Sequence, residues 1–258
     1  MPTTKPLALI TGGSGGIGLE LAKVFASEGY DLVIAADSAA KLKEAVRQIE
    51  PSNGKARIET VVVDLAQPAG PQKLYDSVKE LGRNVDVLVN NAGRGVWGDF
   101  ARETDLKDEL AIIQLNVASV IALTKLFVGD MVRRGSGKIL ITASEASLVP
   151  IALMSVYAAT KAFVYSFALS LREELKDTDI TVTALLPGAT QTDFFIRADM
   201  DEAKFVQEGK LADPARVARD GYEALLKGDD HIVTPFKDRV KVSVAKFVPD
   251  AWSVQRLE

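Results

Sequence analysis

The sequence predicts an α/β fold built on a parallel sheet, and three observations carry that prediction. An apolar run, Leu7-Ala8-Leu9-Ile10, opens through a glycine-rich turn into a helical pattern. Short apolar runs then alternate with amphipathic helical stretches along the chain. One of those runs, Lys138-Ile139-Leu140-Ile141-Thr142-Ala143, is apolar on both faces, as a strand covered by helices must be. At 258 residues and 47% hydrophobic, the chain can bury a large core, and a sheet protein of this length is expected to form one domain, 1–258.

Each element follows from its local pattern. The helix after the glycine turn covers Leu19 to Glu28, and Asp31 to Ala36 reads as the second strand. A helix from Ala39 to Glu50, a turn at Pro51-Ser52-Asn53-Gly54 and a strand from Arg57 to Val63 come next. A helix from about Pro71 to Leu81 leads to the strand Val85-Asp86-Val87-Leu88-Val89, which ends in Asn90-Asn91-Ala92-Gly93. Leu106 to Met131 has apolar residues at helical spacing throughout and reads as one long helix. After the Lys138 strand come a helix carrying Tyr157, to about Lys176, and a strand from Ile180 to Leu186 stopped by Pro187-Gly188. The charged and aromatic segment 189–212, with weak helical periodicity around Met200 to Gln207, has the length and place of a substrate lid. Asp213-Pro214 is an N-cap with proline at the first helical position, opening a helix to Lys227, and His231 to Thr234 is a last strand. The tail, Phe236 to Glu258, carries scattered apolar residues suited to packing on a partner or a sheet edge.

Composition removes several function classes. There is no cysteine, so disulfides, thiolate zinc sites and cysteine nucleophiles are out, and a cytoplasmic setting is the expectation. A net charge of -4 offers no long-range attraction to nucleic acid, and Arg133-Arg134 beside Gly135 reads as a solvated helix end. No apolar run is expected to span a bilayer, and the first residues resemble neither a signal peptide nor an anchor. His231 is the one histidine, so a Ser-His-Asp hydrolase or a histidine-rich metal centre would depend on it alone; no metal site is expected.

Two patterns point to chemistry. In Thr11-Gly12-Gly13-Ser14-Gly15-Gly16-Ile17-Gly18, glycines between a strand and a helix let backbone approach a pyrophosphate, whose charge the helix amino terminus favours. Asp37 follows Gly18 by 19 residues, the spacing at which a carboxylate can bond adenosine ribose hydroxyls; the competing reading makes it the start of the next helix. The second pattern is Tyr157-Ala158-Ala159-Thr160-Lys161, which puts a phenol and an amine on one helix face. A neighbouring cation lowers a phenol pKa, so Tyr157 is expected to serve as an acid or base near neutrality. Ser144 stands 13 residues earlier, at the carboxyl end of the buried strand, where α/β enzymes place reacting groups. Asn116 is a polar group in an apolar helical stripe and must find partners, structural or catalytic.

The ordered set Thr11-Gly12-x-x-x-Gly16-x-Gly18, Asp64, Asn90-Asn91-Ala92-Gly93, Asn116, Ser144, Tyr157-x-x-x-Lys161 and Pro187-Gly188-x-x-x-Thr192 resembles the short-chain dehydrogenase/reductase family in its roughly 250-residue form, over about residues 7 to 234. The resemblance implies a Rossmann-like, doubly wound sheet of seven parallel strands in the order 3-2-1-4-5-6-7 with helices on both faces. It implies Tyr157 as general acid/base, Lys161 lowering its pKa and binding a nicotinamide ribose, Ser144 holding the substrate oxygen, and Asn116 holding a relay water. The implied cofactor set is Gly12, Ser14, Gly15, Gly16, Ile17, Gly18, Asp37, Asp64, Leu65, Asn91, Ala92, Gly93, Tyr157, Lys161, Pro187, Gly188, Thr190 and Thr192.

The chain also departs from that family's pattern. The usual NAD-selecting acid falls at Ala36, with Asp37 one place later, and Gly15 replaces the basic residue of many NADP users, so NAD is favoured and NADP is the alternative. Glu145 and Ser147 are unusual after the serine. The expected activity is hydride exchange between NAD(P) and a small secondary alcohol or ketone, in a pocket of Trp97, Glu145, Leu153, Phe194 and Phe195. The competing class is a dinucleotide-binding sensor or scaffold without turnover. Family members pair through the two long helices, so a homodimer or homotetramer is expected.

Overall fold

In the computed structural model, residues 5–50, 55–198, 200 and 211–235 are described. The expected turn at 51–54, the periodicity through 201–207 and the tail 236–258 lie outside the described residues.

Seven parallel strands form one sheet: β1 Leu7–Thr11, β2 Asp31–Ala36, β3 Ile58–Val62, β4 Val87–Asn90, β5 Gly137–Thr142, β6 Ile180–Pro187 and β7 His231–Thr234, in the order β3-β2-β1-β4-β5-β6-β7. The order predicted through the family resemblance is the order found. Strand alternation explains why nearly every strand residue is apolar. Leu7 and Leu9 face one core with Val33 and Ala35, while Ala8 and Ile10 face the other with Leu32 and Ile34. The first core is closed by α3 Gly70–Glu80, α5 Ser119–Arg134 and α6 Ser155–Glu174, and the second by α1 Gly16–Ser27, α2 Ala39–Ile49 and α8 Pro214–Lys227. Each fully buried leucine, isoleucine or phenylalanine in these layers contributes about 1.5–3 kcal/mol.

Helix ends are set by local chemistry. Asp213 accepts from the Ala215 amide at the start of α8, Pro214 takes the first helical position, and left-handed Gly228 ends the helix. Gly135, with φ 77°, ends α5 in the same way. Arg134 at that end is more than solvated, since its guanidinium donates to the carbonyls of Val85 and Ser136.

The long helix needs two corrections. It runs from Leu106 to Arg134, and it is interrupted: α4 Leu106–Ile113 passes through a π-turn, Gln114–Ala118, into α5. A π-turn shifts one residue out of register, and here it carries Asn116. The helix is also long and apolar enough, by length and composition alone, to cross a membrane, contrary to the expectation that no segment is. In this fold Val120, Leu123, Phe127 and Met131 on it pack into the core beside β4 and β5. α4, α5 and α6 still leave Leu106, Leu110, Ile113, Ile121 and Phe163 exposed.

The order reverses between β1 and β4, whose carboxyl ends therefore diverge to leave a crevice. Both expected chemical patterns open there. His231 begins β7, at the opposite end of the sheet, with its ring against Tyr165.

Candidate active site

The crevice starts at the turn after β1. Gly12 and Gly16 have φ values of 65° and 53°, a region open to glycine at little cost. A Cβ on Gly18 would lie 2.2 Å from the Gly12 carbonyl oxygen and 2.4 Å from Asn91 Nδ2, so the helix can pack this close only without a side chain there. Gly15 caps α1 with no side-chain acceptor, and the space where its Cβ would stand is empty within 4 Å. A helix start with uncapped amides beside open space suits a phosphate. Ser14 lies in this turn, and Ile17 turns inward onto the second core.

The turn is held from below by β4. Thr11 Oγ1 donates to the Val89 carbonyl and accepts from the amides of Asn91 and Ala92, each at 3.0 Å. Asn91 Nδ2 donates to the Thr11 carbonyl at 3.1 Å, and its Oδ1 accepts from Thr142 Oγ1 at 3.3 Å. The Asn91 side chain thus ties together the ends of β1, β4 and β5, which leaves mainly backbone to face a ligand. Leu65 is similar: its side chain is in the first core. Asp64 is exposed after β3, its carboxylate accepting from the Ala66 amide and Gln67 Nε2.

Asp37 is resolved from its competing reading. Ser38, and not Asp37, caps α2 by accepting from the Lys41 amide, so the exposed Asp37 carboxylate stands at the end of β2 free of that duty. On the far side, Pro187 closes β6 and Gly188 follows; Thr190 Oγ1 donates to the Gly188 carbonyl. The Thr192 methyl would touch a Cβ on Gly16 at 3.0 Å, which places this segment against the glycine turn.

Ser144 follows β5 and opens a 3-10 turn, Glu145–Ser147, with a reciprocal capping box to Ser147. The phenol of Tyr157 lies beside the Ser144 side chain, close enough for that hydroxyl to lower its pKa. Lys161, one turn along α6, donates from Nζ to the Thr142 carbonyl at 2.9 Å, and Nζ is 5.9 Å from the Tyr157 ring centroid. Asn116 Oδ1 accepts from the Arg94 amide, while its Nδ2 donates to the Arg94 carbonyl and to Thr160 Oγ1. A Cβ on Gly93 would stand 3.2 Å from Asn116 Oδ1 and 3.3 Å from Lys161 Nζ, so both polar atoms converge beside this glycine. The four residues singled out in the sequence therefore meet at the mouth of the crevice.

The electrostatics reverse one expectation. A lysine neighbour by itself would set Tyr157 below the ordinary tyrosine value. Burial instead pushes it up to about 12, with the Ser144 hydroxyl opposing the rise. Lys161 does not offset this: its amine is turned to the Thr142 carbonyl, and burial drives its own pKa down to about 8. Because the folded Lys161 pKa lies below its ordinary 10.5, the folded chain binds fewer protons than the unfolded chain between about 8 and 10.5, so stability rises with pH across that window. Lys161→Met should remove this rise, a difference on the order of 3 kcal/mol over the full window, measured as thermal unfolding of both proteins from pH 7 to 10. Parallel pH profiles would refute it.

The expected pocket is partly corrected. Phe194 and Phe195 from α7 Phe194–Arg197, with Trp97, join an apolar cluster around Tyr157 that also holds Ile112, Met154 and Ala146. Glu145 is half-buried in the 3-10 turn beside them. Leu153 is not in that cluster; it has φ 64°, and its carbonyl accepts from the Gly98 amide, so the next residue, Met154, presents the apolar side chain. The sequence reading missed Met154, Gly95, Thr142 and Thr160. Thr160 lies inside the Tyr157 motif and was open to notice, whereas a carbonyl acceptor such as that of Thr142 leaves no trace in residue type.

Fold and site together define an α/β protein suited to hold a dinucleotide beside a buried tyrosine and lysine and a half-buried serine. The chain belongs to the short chain dehydrogenase family, whose model matches residues 6–203, and is thereby an oxidoreductase. It is 36% identical over 196 residues to an uncharacterized oxidoreductase, DltE, of Bacillus subtilis (strain 168), covering 74% of each chain. It resembles a short-chain dehydrogenase from Sphingobium yanoikuyae solved in complex with NADPH, at a TM-score of 0.82 and 28% identity over 95% of this chain and 97% of that one. A family member from Burkholderia phymatum solved in complex with NAD aligns at a TM-score of 0.85 and 25% identity, over 96% of this chain and 95% of that one.

Proposed function

We propose that this protein transfers hydride between a nicotinamide dinucleotide and a secondary alcohol or ketone, with Tyr157 as the general acid/base. The carrying observation is the convergence of Tyr157, its phenol beside the Ser144 hydroxyl, with Lys161 Nζ at 5.9 Å from its ring and Asn116 Oδ1 beside Gly93, at the crevice that the glycine turn opens. The residues fit a dinucleotide. Gly12, Gly15, Gly16 and Gly18 leave a cradle with an uncapped helix start for a pyrophosphate, and Asp37 stands at the end of β2 where an adenosine ribose would lie. When bound, the nicotinamide supplies or accepts the hydride.

This chain's own residues handle the proton. A phenol pushed up to about 12 is protonated at neutral pH, the form in which Tyr157 gives its proton to a carbonyl oxygen when the ketone is reduced. The Ser144 hydroxyl orients that oxygen, and beside the phenol it favours the phenolate that is left. Lys161 and Asn116, converging beside Gly93, hold a route by which the proton is restored. Asp37, with no cation at Gly15, repels a 2'-phosphate and favours NAD. The test is a panel of ketones and alcohols followed by nicotinamide absorbance with both dinucleotides; turnover of none of them would overturn the proposal, and better turnover with NADPH would overturn the cofactor preference.

The exposed apolar residues Leu106, Leu110, Ile113 and Ile121, with Phe163 on α6, support pairing of two copies along these helices. Light scattering at micromolar concentration should return a dimer or tetramer, and a monomer would contradict it.

A further inference from the structure

We propose that Gly95, together with Met154, sets how large a carbonyl substituent this site accepts, by seating the Phe194 ring beside Tyr157. The proposal rests on the hydride-transfer reading above.

Gly95 is buried in the loop after β4. A Cβ built there would lie 2.8 Å from Phe194 Cζ and 3.0 Å from Met154 Cε, closer than carbon atoms settle. The ring edge and the thioether methyl therefore occupy the place that any side chain at position 95 would take. The ring also lies against the phenol: the Phe194 and Tyr157 centroids are 5.3 Å apart with planes at 52°, and Phe195 meets Phe194 edge-on at 5.5 Å. Phe194 thus bridges from the loop after β4 to α6, directly beside the acid/base. Its backbone is fixed separately, by the bond from its amide to Thr192 Oγ1 at 3.2 Å. With the backbone anchored, the depth of the ring is decided by what faces it, and what faces it is a residue without a side chain.

The chemistry of the space follows. Val96, Trp97, Ile151, Met154 and Phe195 supply carbon on the sides that Phe194 does not cover. A ketone whose substituent on this side is compact and apolar fits beside the seated ring. A bulky aryl substituent needs the ring gone or displaced. Gly95 is thus a positioning residue, acting on substrate choice through Phe194.

The experiment measures kcat/KM for butan-2-one and benzophenone with the preferred dinucleotide, in wild type, Phe194→Ala, Gly95→Ala and the double variant. Phe194→Ala should shift the ratio toward benzophenone by about tenfold or more, the scale on which a few carbon atoms discriminate in a pocket. Gly95→Ala should shift it the same way, since its methyl unseats the ring. In the Phe194→Ala background the same methyl should change the ratio little, because the ring it displaces is absent. Equal losses on both ketones, or a Gly95→Ala effect that survives the removal of Phe194, would overturn the proposal. If Gly95→Ala does not fold, Phe194→Leu takes its place, and an unmoved ratio in both Phe194 variants overturns the proposal. A wild type that reduces no ketone with either dinucleotide overturns the hydride-transfer reading and this one with it, whereas turnover with an unmoved ratio overturns this one alone.

Discussion

Tyr157→Phe should leave a folded protein that binds its dinucleotide and lowers turnover of every substrate by about 10²–10⁴-fold, the contribution of a positioned acid/base. The ring sits in an apolar cluster with Met154, Phe195 and Ile112, and phenylalanine keeps its volume, so the packing survives. The substitution removes the phenol oxygen from beside Ser144, whose Oγ still accepts from the Ala146 amide at 3.1 Å. A stability change within about 1 kcal/mol is therefore expected from thermal unfolding. Dinucleotide titration by fluorescence should show affinity within a few-fold of wild type. Turnover at the wild-type rate would remove Tyr157 from the mechanism.

Gly18→Ala should be the most damaging single methyl in the nucleotide half of the site. Its Cβ would meet the Gly12 carbonyl oxygen at 2.2 Å and Asn91 Nδ2 at 2.4 Å, and the carbonyl is backbone that cannot swing away. Either α1 moves off the turn or Asn91 gives up its bonds to Thr11 and Thr142, which hold the ends of three strands together. Overpacking of this kind costs about 1–3 kcal/mol, and the displaced turn should weaken dinucleotide binding by about a hundredfold or more. Gly15→Ala is the control: φ is -176°, an extended conformation open to any residue, and nothing stands within 4 Å of the added methyl. Thermal unfolding should separate the two variants clearly. Equal stability would show that the packing of α1 on the turn has more give than these distances allow.

What residue type and spacing determine was readable along the chain. Alternating apolar strands and amphipathic helices, capped where Asp213-Pro214 and Gly135 fall, follow from local backbone preference and hydrophobic period. The Tyr157–Lys161 spacing places both on one helix face whatever surrounds them. Those signals are local, and local interactions are written in sequence order.

The surroundings of those groups were decided only in three dimensions. Tyr157 and Lys161 share a face, yet the amine bonds a carbonyl 19 residues away and both groups are stripped of water, so the Tyr157 pKa moves opposite to the sequence expectation. Asn116 was visible as a polar residue in an apolar stripe, but its partners come from the loop after β4 and from α6, reached through a π-turn that helical period does not reveal. Leu153 has a left-handed backbone, and it is the next residue, Met154, that joins the cluster around Tyr157. The common reason is that desolvation, hydrogen-bond partnership and steric seating depend on which distant segments arrive together, and that is settled by packing the sheet and its helices, not by any stretch of chain alone.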